Sequence, residues 1–344
     1  MTTIKEIARL ANVSAVTVSN VLNGKGGASE AKAIQIKEIA ERLHYTPNKF
    51  AKGLKQKRSN TVGVITEDLT VFNTPEIVDG IDACCEKHGF DIILGNLRLF
   101  KRYHNDFTDT QKHHHLLDEM VHSMYAKQVE GIIYVGYHCR NISYMPVEQS
   151  VPLVYAYCYT EGGGVPSVIY DDEKAAYDAT TLLIKSGNSR IGILCGPFDS
   201  FHTQERLRGY QQALFDGNLL YDNRIVAYGN WERSSGYELG KNLIESGVHA
   251  IFSMNDVMAC GVYDYCAEHG LTVGRDISLI GFDNREISQA YHPQLTTISI
   301  PLTKIGERAG ELIVAKIEGG ETENSLFKIP CKLISRESVA QNLL

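Results

Sequence analysis

Residues 3–14 read TIKEIARLANVS and residues 17–23 read TVSNVLN, and this stretch decides the fold of the N-terminal region. Its first part repeats apolar residues at helical spacing, with charged residues on the other face. Those apolar residues are Ile4, Ile7, Ala8 and Ala11. Asn12-Val13 can form a turn, and Ser14 suits the N-cap of a second helix because its hydroxyl can accept a backbone N–H bond. The stretch therefore predicts a helix-turn-helix, which places its second helix in the major groove of DNA.

The second predicted helix has an inward and an outward face. Val18, Val21 and Leu22 are expected to pack into a small core. The residues expected to face outward are Ala15, Val16, Ser19, Asn20 and Asn23. A third helix is predicted over residues 30–43, with Ser29 as its N-cap. A small helical subdomain with no role in DNA binding is the alternative interpretation.

Charge favours DNA binding over that alternative. Residues 1–58 contain eleven Lys and Arg against four Asp and Glu, a net charge of +7. The whole chain carries −7, so residues 59–344 carry −14. A basic end on an acidic body is the charge distribution that binding to a phosphate backbone requires. We therefore expect double-stranded DNA as a partner of the N-terminal region.

Composition limits the class of protein. The 344 residues are enough for two or three domains, and 43% of them are hydrophobic, as is ordinary for a globular protein. No apolar run reaches the roughly 18 residues of a membrane helix, and the N-terminus lacks the layout of a signal peptide. We therefore expect a cytoplasmic protein with no membrane partner. The eight cysteines include no Cys-x-x-Cys pair, so reduced thiols are expected.

Residues from 61 onward alternate short β-branched runs with amphipathic segments, which predicts an α/β body of parallel sheets covered on both faces. Strands are predicted at 61–66, 90–95, 131–135, 153–157, 167–170, 190–195, 250–254 and 277–282. Helices are predicted at 76–88, 173–185, 205–215, 234–246, 256–269 and 304–318. So many strands indicate two sheets, and hence two lobes.

Two further patterns bear on chemistry. Five histidines lie between residues 104 and 122, three of them consecutive at 113–115. A solvated helix is favoured there over a metal site, because suitably spaced carboxylate or cysteine partners are not evident. The chain contains no Gly-x-Ser-x-Gly, phosphate-loop or His-Glu-x-x-His motif, so neither an enzyme nor a cofactor is predicted.

The N-terminal motifs resemble those of the LacI/GalR family of bacterial transcription regulators. The matching pieces are TIKEIA at 3–8, VS at 13–14, TVS at 17–19, VLN at 21–23 and YTPN at 45–48. The body is similar to that of the same family and of periplasmic sugar-binding proteins, so the resemblance covers nearly the whole chain.

The resemblance implies an all-α helix-turn-helix DNA-binding domain joined by a hinge to a periplasmic-binding-protein-like α/β body of two doubly wound lobes. The DNA-binding domain would span 1–46 and the hinge 47–60. The first lobe would combine 61–158 with 292–324, and the second would combine 159–291 with 325–344. Three crossings between the lobes would lie near 159–165, 288–293 and 322–327.

The resemblance also assigns residues to DNA. Ala15, Val16 and Asn20 fall where the family reads bases, and Asn20 replaces a usual Arg, which changes the preferred base from guanine towards adenine. Phosphate contacts are expected from Ser14, Thr17, Ser19 and Asn23. In the hinge, Leu54 matches a leucine that wedges into the minor groove. Asn48 and Ala51 are expected to bind DNA beside it; a plain flexible linker is the alternative for this segment.

An effector is expected in the cleft between the lobes. Arg206, three residues before Gly209, matches the effector-binding Arg, and Asp283 in Gly281-Phe-Asp-Asn284 matches a cleft carboxylate. The other expected effector-binding residues are Val71, Phe72, Trp231, Asn255 and Asp256. Glu67 and Tyr157 align with further cleft positions. The alternatives are a surface charge for Arg206, a helix cap for Asp256 and a core residue for Trp231.

These features together imply a homodimer that binds a pseudo-palindromic operator and represses nearby genes under the control of a small molecule. A guanidinium, a carboxylate and a single indole favour a mono- or disaccharide as the effector. A purine or a phosphosugar is the alternative effector. A sugar-binding protein of the transport type, with no DNA role, is the alternative from another functional class.

Overall fold

The computed structural model describes residues 3–45, 58–104, 110–148, 150–323 and 325–340. The chain divides into two compact units, residues 1–59 and residues 60–344. Each unit has its own hydrophobic core. Within the described ranges, no helix is both long and apolar enough to cross a lipid bilayer.

The described part of the first unit contains three helices: α1 (Ile4–Ala11), α2 (Ala15–Leu22) and α3 (Glu30–Arg42). Asn12 ends α1 in the left-handed conformation, with φ of 49°, which Asn tolerates better than most residues. The Ser14 hydroxyl accepts the Thr17 N–H at 3.0 Å, which confirms the predicted N-cap of α2. Ser29 is the N-cap residue of α3, as predicted, although its hydroxyl makes no capping bond.

Among the residues that the structure describes, the second unit has twelve strands. They are β1 (Thr61–Thr66), β2 (Asp91–Asn96), β3 (Gly131–Val135), β4 (Leu153–Ala156), β5 (Ser167–Tyr170), β6 (Ile191–Cys195), β7 (Val226–Tyr228), β8 (Ala250–Ser253), β9 (Ser278–Asp283), β10 (Thr296–Ser299), β11 (Leu326–Ile329) and β12 (Lys332–Ile334). The first sheet has the order β11-β5-β4-β3-β1-β2, and the second has the order β12-β10-β9-β8-β6-β7. All neighbours pair in parallel except β12, which is antiparallel to β10.

Helices connect and cover these strands. They are α4 (Thr74–Lys87), α5 (Leu99–Tyr103), α6 (His114–Ala126), α7 (Asp172–Lys185), α8 (Phe201–Asp216), α9 (Arg233–Glu245), α10 (Asp256–Glu268), α11 (Ile287–Ala290) and α12 (Leu302–Ile317). The predicted fold of two doubly wound α/β lobes is therefore confirmed. The histidine-rich segment forms part of α6, preceded by a short 3₁₀ turn at Thr110–His113.

The predicted strands agree with the structure within one or two residues, and β1, β3 and β5 have the predicted bounds. β12 overlaps residues 333–338, whose sequence resembles the closing strand of the LacI/GalR family, whereas β7, β10 and β11 were not predicted. Each has only three or four residues. β7 and β11 lie at sheet edges and are only partly buried, so they lack the continuous apolar run of the equally short β4, β5 and β8, and pairing with their neighbours defines them.

The three crossings between the lobes lie further along the chain than predicted. The first follows β5, the second separates β10 from α12, and the third separates β11 from β12. The glycines at 162–164, expected in a linker, form a turn with positive φ between β4 and β5 of one sheet. Glycines signal a turn but do not reveal which sheet receives the next strand.

Candidate DNA-reading helix and effector cleft

The outward face of α2 is as predicted. Val18 and Val21 are buried in the core of the first unit, and Val16 is 66% exposed. Ala15, Ser19 and Asn20 are partly exposed and Asn23 is exposed. The residues expected to read bases are therefore accessible on one helix.

Polar residues at the ends of α2 are oriented by local hydrogen bonds. The hydroxyls of Ser14 and Thr17 lie 2.9 Å apart. Asn23 donates through Nδ2 to the Ser19 carbonyl at 2.7 Å. Such bonds restrict these side chains before DNA binds. This suits residues that contact phosphates and fix the position of the protein on the duplex without reading its sequence. The predicted hinge contacts of Asn48, Ala51 and Leu54 lie outside the described residues.

The predicted effector residues lie in segments that follow the carboxyl ends of strands in the two sheets, which is where open α/β sheets usually bind ligands. Phe72 follows β1 in the first lobe, together with its neighbour Val71. Arg285 follows β9 in the second lobe, and its guanidinium lies 4.8 Å from the Phe72 ring centre. This contact joins the two walls of the cleft.

Arg206 is 3% exposed, so the alternative of a surface charge was wrong. From α8, its Nε donates to Asp172 Oδ1 at 2.7 Å and its Nη2 donates to the Tyr170 hydroxyl at 2.7 Å. Nη1 donates to the Met254 carbonyl, and the guanidinium lies 3.5 Å from the Phe282 ring centre. These bonds use three of the five N–H groups of the side chain.

Asp172 is the buried counter-ion of this arrangement. Burial alone would raise the pKa of its carboxyl, but the charges of His202 and Arg206 and the hydrogen bonds from both hold the pKa below its ordinary value. The His202 Nδ1 lies 2.9 Å from Asp172 Oδ2. Sequence reasoning missed Asp172 and Tyr170 because they lie more than thirty residues before Arg206. It could have found His202, which precedes Arg206 by one helical turn.

Asp283 ends β9 and faces the cleft. Among the described residues its carboxylate has no hydrogen-bond donor. Burial raises its pKa well above the ordinary value; the charge of Arg206 opposes the shift, and that of Asp256 adds to it. A carboxyl group that is buried, protonated at neutral pH and not paired within the protein can both donate to and accept from the hydroxyl groups of a ligand.

Asp256 is placed differently, beneath the cleft. It is fully buried, and its carboxylate accepts the Thr297 hydroxyl at 2.6 Å and the Arg285 N–H at 2.8 Å. Asn255 caps α10 by accepting the Met258 N–H at 2.7 Å. Its Nδ2 donates to the Trp231 carbonyl at 3.0 Å. Both side chains hold the cleft together through these bonds.

Trp231 follows β7 in the second lobe. Its indole covers Gly196 so closely that a Cβ there would lie 2.0 Å from Cζ2. The side chain is partly buried against the main core, and the Arg206 guanidinium is 5.8 Å from its ring. The partial burial of the Trp231 indole is compatible both with a core residue and with a residue that stacks on a ligand.

Three residues of the cleft have strained backbones. Tyr157, Trp231 and Asp283 have φ of 60°, 70° and 103°, in a region that residues other than glycine rarely adopt. Such conformations persist only where the surrounding structure enforces them, and they concentrate at functional sites. Their occurrence at strand ends in both lobes is consistent with a ligand site.

Glu67 does not offer a free carboxylate. Arg140 binds both of its oxygens, the Tyr134 hydroxyl donates at 2.6 Å and the Tyr137 N–H donates at 2.6 Å. Arg140 and these hydrogen bonds lower the pKa of Glu67 against the opposing effect of burial. Glu67 therefore supports the first-lobe wall from within.

The cysteines and histidines form no recognisable metal centre in the part of the chain that the structure describes. All eight cysteines are free thiols there, and seven of them are buried. His114 stacks on Tyr144 with ring centres 3.8 Å apart, so one member of the histidine-rich segment has a packing role.

A helix-turn-helix followed by a two-lobed ligand-binding body defines the class of ligand-responsive DNA-binding regulators. The model of bacterial regulatory proteins of the lacI family matches residues 3–48, and that of the periplasmic binding protein-like domain matches residues 180–339. Catabolite control protein A of Priestia megaterium is 33% identical over 343 residues, covering 98% of both chains. The chain belongs to the lacI family of bacterial regulatory proteins.

Two further likenesses extend over the whole chain. The HTH-type transcriptional repressor PurR of Vibrio campbellii (strain ATCC BAA-1116) is 29% identical over 346 residues, covering 98% of this chain and 99% of the relative. The crystal structure of the Lac repressor dimer bound to operator and the anti-inducer ONPF aligns with a TM-score of 0.80 at 25% identity. That alignment covers 98% of this chain and 99% of the other.

Proposed function

We propose that this regulator binds its operator as a homodimer in the cytoplasm and that a neutral mono- or disaccharide in the cleft controls its affinity for DNA. It acts by binding and not by catalysis. The observation that carries the choice of effector is the buried Asp283 carboxyl group near Arg206, which is protonated at neutral pH because its pKa is raised to about 8 and which has no hydrogen-bond donor among the described residues. Sugar hydroxyls supply such donors, and the apolar face of a pyranose packs on an indole such as Trp231.

On the DNA side, Ala15, Val16 and Asn20 are proposed to read bases, and Ser14, Thr17, Ser19 and Asn23 to bind phosphates. In the cleft, Arg206 would offer its two remaining N–H groups to the sugar while Asp283 accepts from it. Val71 and Phe72 would line the opposite wall. Asn255 and Asp256 are proposed to position the site through the bonds described above.

Two experiments on the full chain test operator binding and its control by a small molecule separately. Duplexes selected from a random library supply an operator, and fluorescence anisotropy then measures binding with and without members of a small-molecule panel. The panel contains neutral mono- and disaccharides, glucose 6-phosphate, hypoxanthine and guanine. A neutral sugar is expected to change operator affinity by about 5- to 150-fold, the range of ordinary allosteric coupling.

Trp231 is the single tryptophan, so its fluorescence reports directly on the cleft. The Asn20→Ala variant should lose operator binding and keep the sugar-induced fluorescence change. The Trp231→Leu variant should keep operator binding and lose the response to sugar. A purine or glucose 6-phosphate that alone alters operator affinity would replace sugar as the effector, whereas a chain that selects no duplex would remove the DNA role.

A further inference from the structure

The first turns of α8 contact the first lobe, although this helix connects β6 to β7 of the second sheet. The ring centre of Phe201 lies 5.3 Å from that of Tyr159, which lies between β4 and β5 of the first sheet. One helical turn further, Glu205 Oε2 accepts a hydrogen bond from Lys328 Nζ at 3.0 Å. Lys328 belongs to β11, an edge strand of the first sheet. Because residues four apart lie on one face of a helix, this face of α8 lies against the first lobe.

Two cations from different lobes share the Glu205 carboxylate, whose side chain is 8% exposed. Lys328 binds Oε2 from the first lobe, and Arg208 Nη1 binds Oε1 from the same helix. A buried carboxylate requires such partners, because desolvation penalises its charge. Arg208 moves together with Glu205 in any displacement of the second lobe, whereas Lys328 does not. Only the bond to Lys328 therefore depends on the arrangement of the two lobes.

The Lys328 ammonium group is fixed in place and in charge. Its residue pairs with Ile169 in the ladder between β11 and β5, so its backbone is part of the first sheet. Burial would lower the pKa of the ammonium group, but the hydrogen bond to Glu205 and the charges of Glu205, Asp171 and Glu173 raise the pKa above its ordinary value. Lys328 is therefore positively charged at neutral pH, and its bond to Glu205 is an ion pair.

Glu205 is also adjacent in sequence to the buried arginine of the cleft. Arg206 donates through Nη2 to the hydroxyl of Tyr170, the last residue of β5, at 2.7 Å. β5 and β11 are neighbours in the first sheet. Two consecutive residues of α8 therefore bind two adjacent strands of the other lobe. Because a helix is displaced as a rigid element, a movement of Arg206 that accompanies ligand binding also changes the distance from Glu205 to Lys328.

We propose that the Glu205–Lys328 ion pair forms in only one arrangement of the lobes and thereby sets how strongly sugar binding is coupled to operator binding. A contact made in one of two arrangements adds its free energy to that arrangement alone and shifts their populations. Glu205 and Lys328 are positioning residues, because they act through the arrangement of the lobes. The inference rests on the proposed function, since it concerns regulation of the same cleft. The competing explanation is an ion pair that persists in both arrangements and only supports the fold.

Two substitutions at this carboxylate separate these explanations. Lys328→Met removes the cation that comes from the first lobe and keeps the length of the side chain. Arg208→Met is the matched control, because it removes the other cation and changes the net charge equally. Fluorescence anisotropy measures the operator affinity of the full-length proteins, and Trp231 fluorescence measures their sugar affinity. The sugar is whichever of D-glucose, D-galactose, D-ribose, maltose, cellobiose and sucrose changes the fluorescence of the wild type most.

The expected result is a linked change in the two affinities. Lys328→Met should change the affinity for operator, for sugar or for both about two- to fivefold, the range of a partly exposed ion pair. Where sugar weakens operator binding, any changes in the two affinities should be opposite in direction. Where sugar strengthens operator binding, they should have the same direction, because both ligands then favour the same arrangement. Arg208→Met should leave both affinities unchanged.

A double-mutant cycle shows whether the ion pair itself is responsible. In a Glu205→Gln background, Lys328→Met should have no further effect on either affinity, because the carboxylate that Lys328 binds is already absent. An undiminished effect of Lys328→Met in that background would overturn the proposal. Equal effects of Lys328→Met and Arg208→Met would overturn it as well, since the charge of Glu205 and not the contact between lobes would then be responsible.

Failure of the ion pair and failure of the proposed function give different results. If the wild type selects an operator and responds to sugar, but Lys328→Met equals it in both affinities, the ion pair has no regulatory role and the proposed function stands. If no sugar in the panel changes the fluorescence, the proposed effector class fails. A changed operator affinity in Lys328→Met, without a change in Arg208→Met, would still support the ion pair in that case.

Discussion

Asp172 and Asp283 are both carboxylates of the cleft, but their surroundings shift their pKa values in opposite directions. Two hydrogen-bonded partners hold the pKa of Asp172 below the ordinary value, although burial opposes them. Burial raises the pKa of Asp283, which has no hydrogen-bond donor among the described residues. One carboxylate therefore stabilises the fold, whereas the other is held at a cost in stability and is available to a ligand.

The substitution Asp283→Asn tests this division of roles. Removing a desolvated carboxyl should raise the free energy of unfolding at neutral pH by roughly 1 kcal/mol, which raises the Tm by about 2–4 °C. The same change should abolish the response to sugar. Thermal unfolding followed by circular dichroism, with and without sugar, measures both effects.

The sign of the pH dependence follows from the raised pKa. Folded Asp283 retains its proton above the pH at which the unfolded chain has released it, so the wild type loses stability as pH rises above the ordinary Asp pKa. The advantage of the Asn variant should therefore disappear at acidic pH and grow towards neutrality. An advantage that is constant with pH would mean that the Asp283 carboxyl is not desolvated.

The sequence predicted only some of the residues that form the effector site. Arg206 and Asp283 were chosen because they lie in recognisable motifs, and both reach the cleft. The partner of Arg206 was not predictable, because Asp172 comes from another helix and only the packing of α7 on α8 brings the two together. Asp256, predicted as a contact residue, instead has both oxygens bound within the protein.

At the scale of elements, the packing of α8 against α7 explains why residue 209, three positions after Arg206, is a glycine. A Cβ at Gly209 would lie 2.0 Å from the Glu173 carbonyl oxygen of α7. The missing side chain lets α8 approach α7 closely enough for Arg206 to reach Asp172. Close approach of this kind is one of the uses that only glycine serves.

Gly209→Ala should therefore force the two helices apart. Overpacking of this kind costs about 1–3 kcal/mol, and sugar affinity should fall with it because Arg206 moves relative to Asp172. Gln212→Ala, on the exposed face of the same helix, is the matched control and should change stability by less than about 0.5 kcal/mol. Denaturant unfolding and sugar titration of both variants check this; equal behaviour of the two would contradict the close contact.

Strands that form buried apolar runs were predictable, even the four-residue β5 and β8, whereas the partly exposed edge strands β7 and β11 were not. β1 and β3 are buried along their whole length and read as continuous apolar runs, as strands of parallel sheets do. β11 and β12 alternate or are half exposed over three or four residues, and pairing with β5 and β10 defines them. Tertiary pairing overrides weak local preference in such segments.

At the scale of the whole molecule, the proposed function requires that the DNA-binding unit, the hinge and the cleft communicate. Leu54→Ala should weaken binding to the selected operator about tenfold or more, because the leucine wedge that kinks the duplex is lost. The slope of affinity against salt concentration should stay the same, since no charge is removed. Sugar binding, followed by Trp231 fluorescence, should also be unchanged.

Lys55→Ala is the matched control for the hinge. It removes one charge that can neutralise a phosphate, so it should reduce the salt slope by about one and weaken binding to all duplexes alike. Anisotropy titrations at several salt concentrations distinguish the two variants. Unchanged operator affinity in Leu54→Ala would leave the hinge as a plain linker.

The sequence by itself determined the three-helix DNA-binding unit, the alternation of strands and helices, and the two motifs that carry Arg206 and Asp283. Those features depend on local spacing, capping and burial patterns that neighbouring residues specify. Only the tertiary structure decided where the chain crosses between lobes, which carboxylate binds Arg206, and that His202 Nε2 has no hydrogen-bond partner among the described residues. These depend on strand order and helix packing between residues far apart in the chain, which no local pattern encodes.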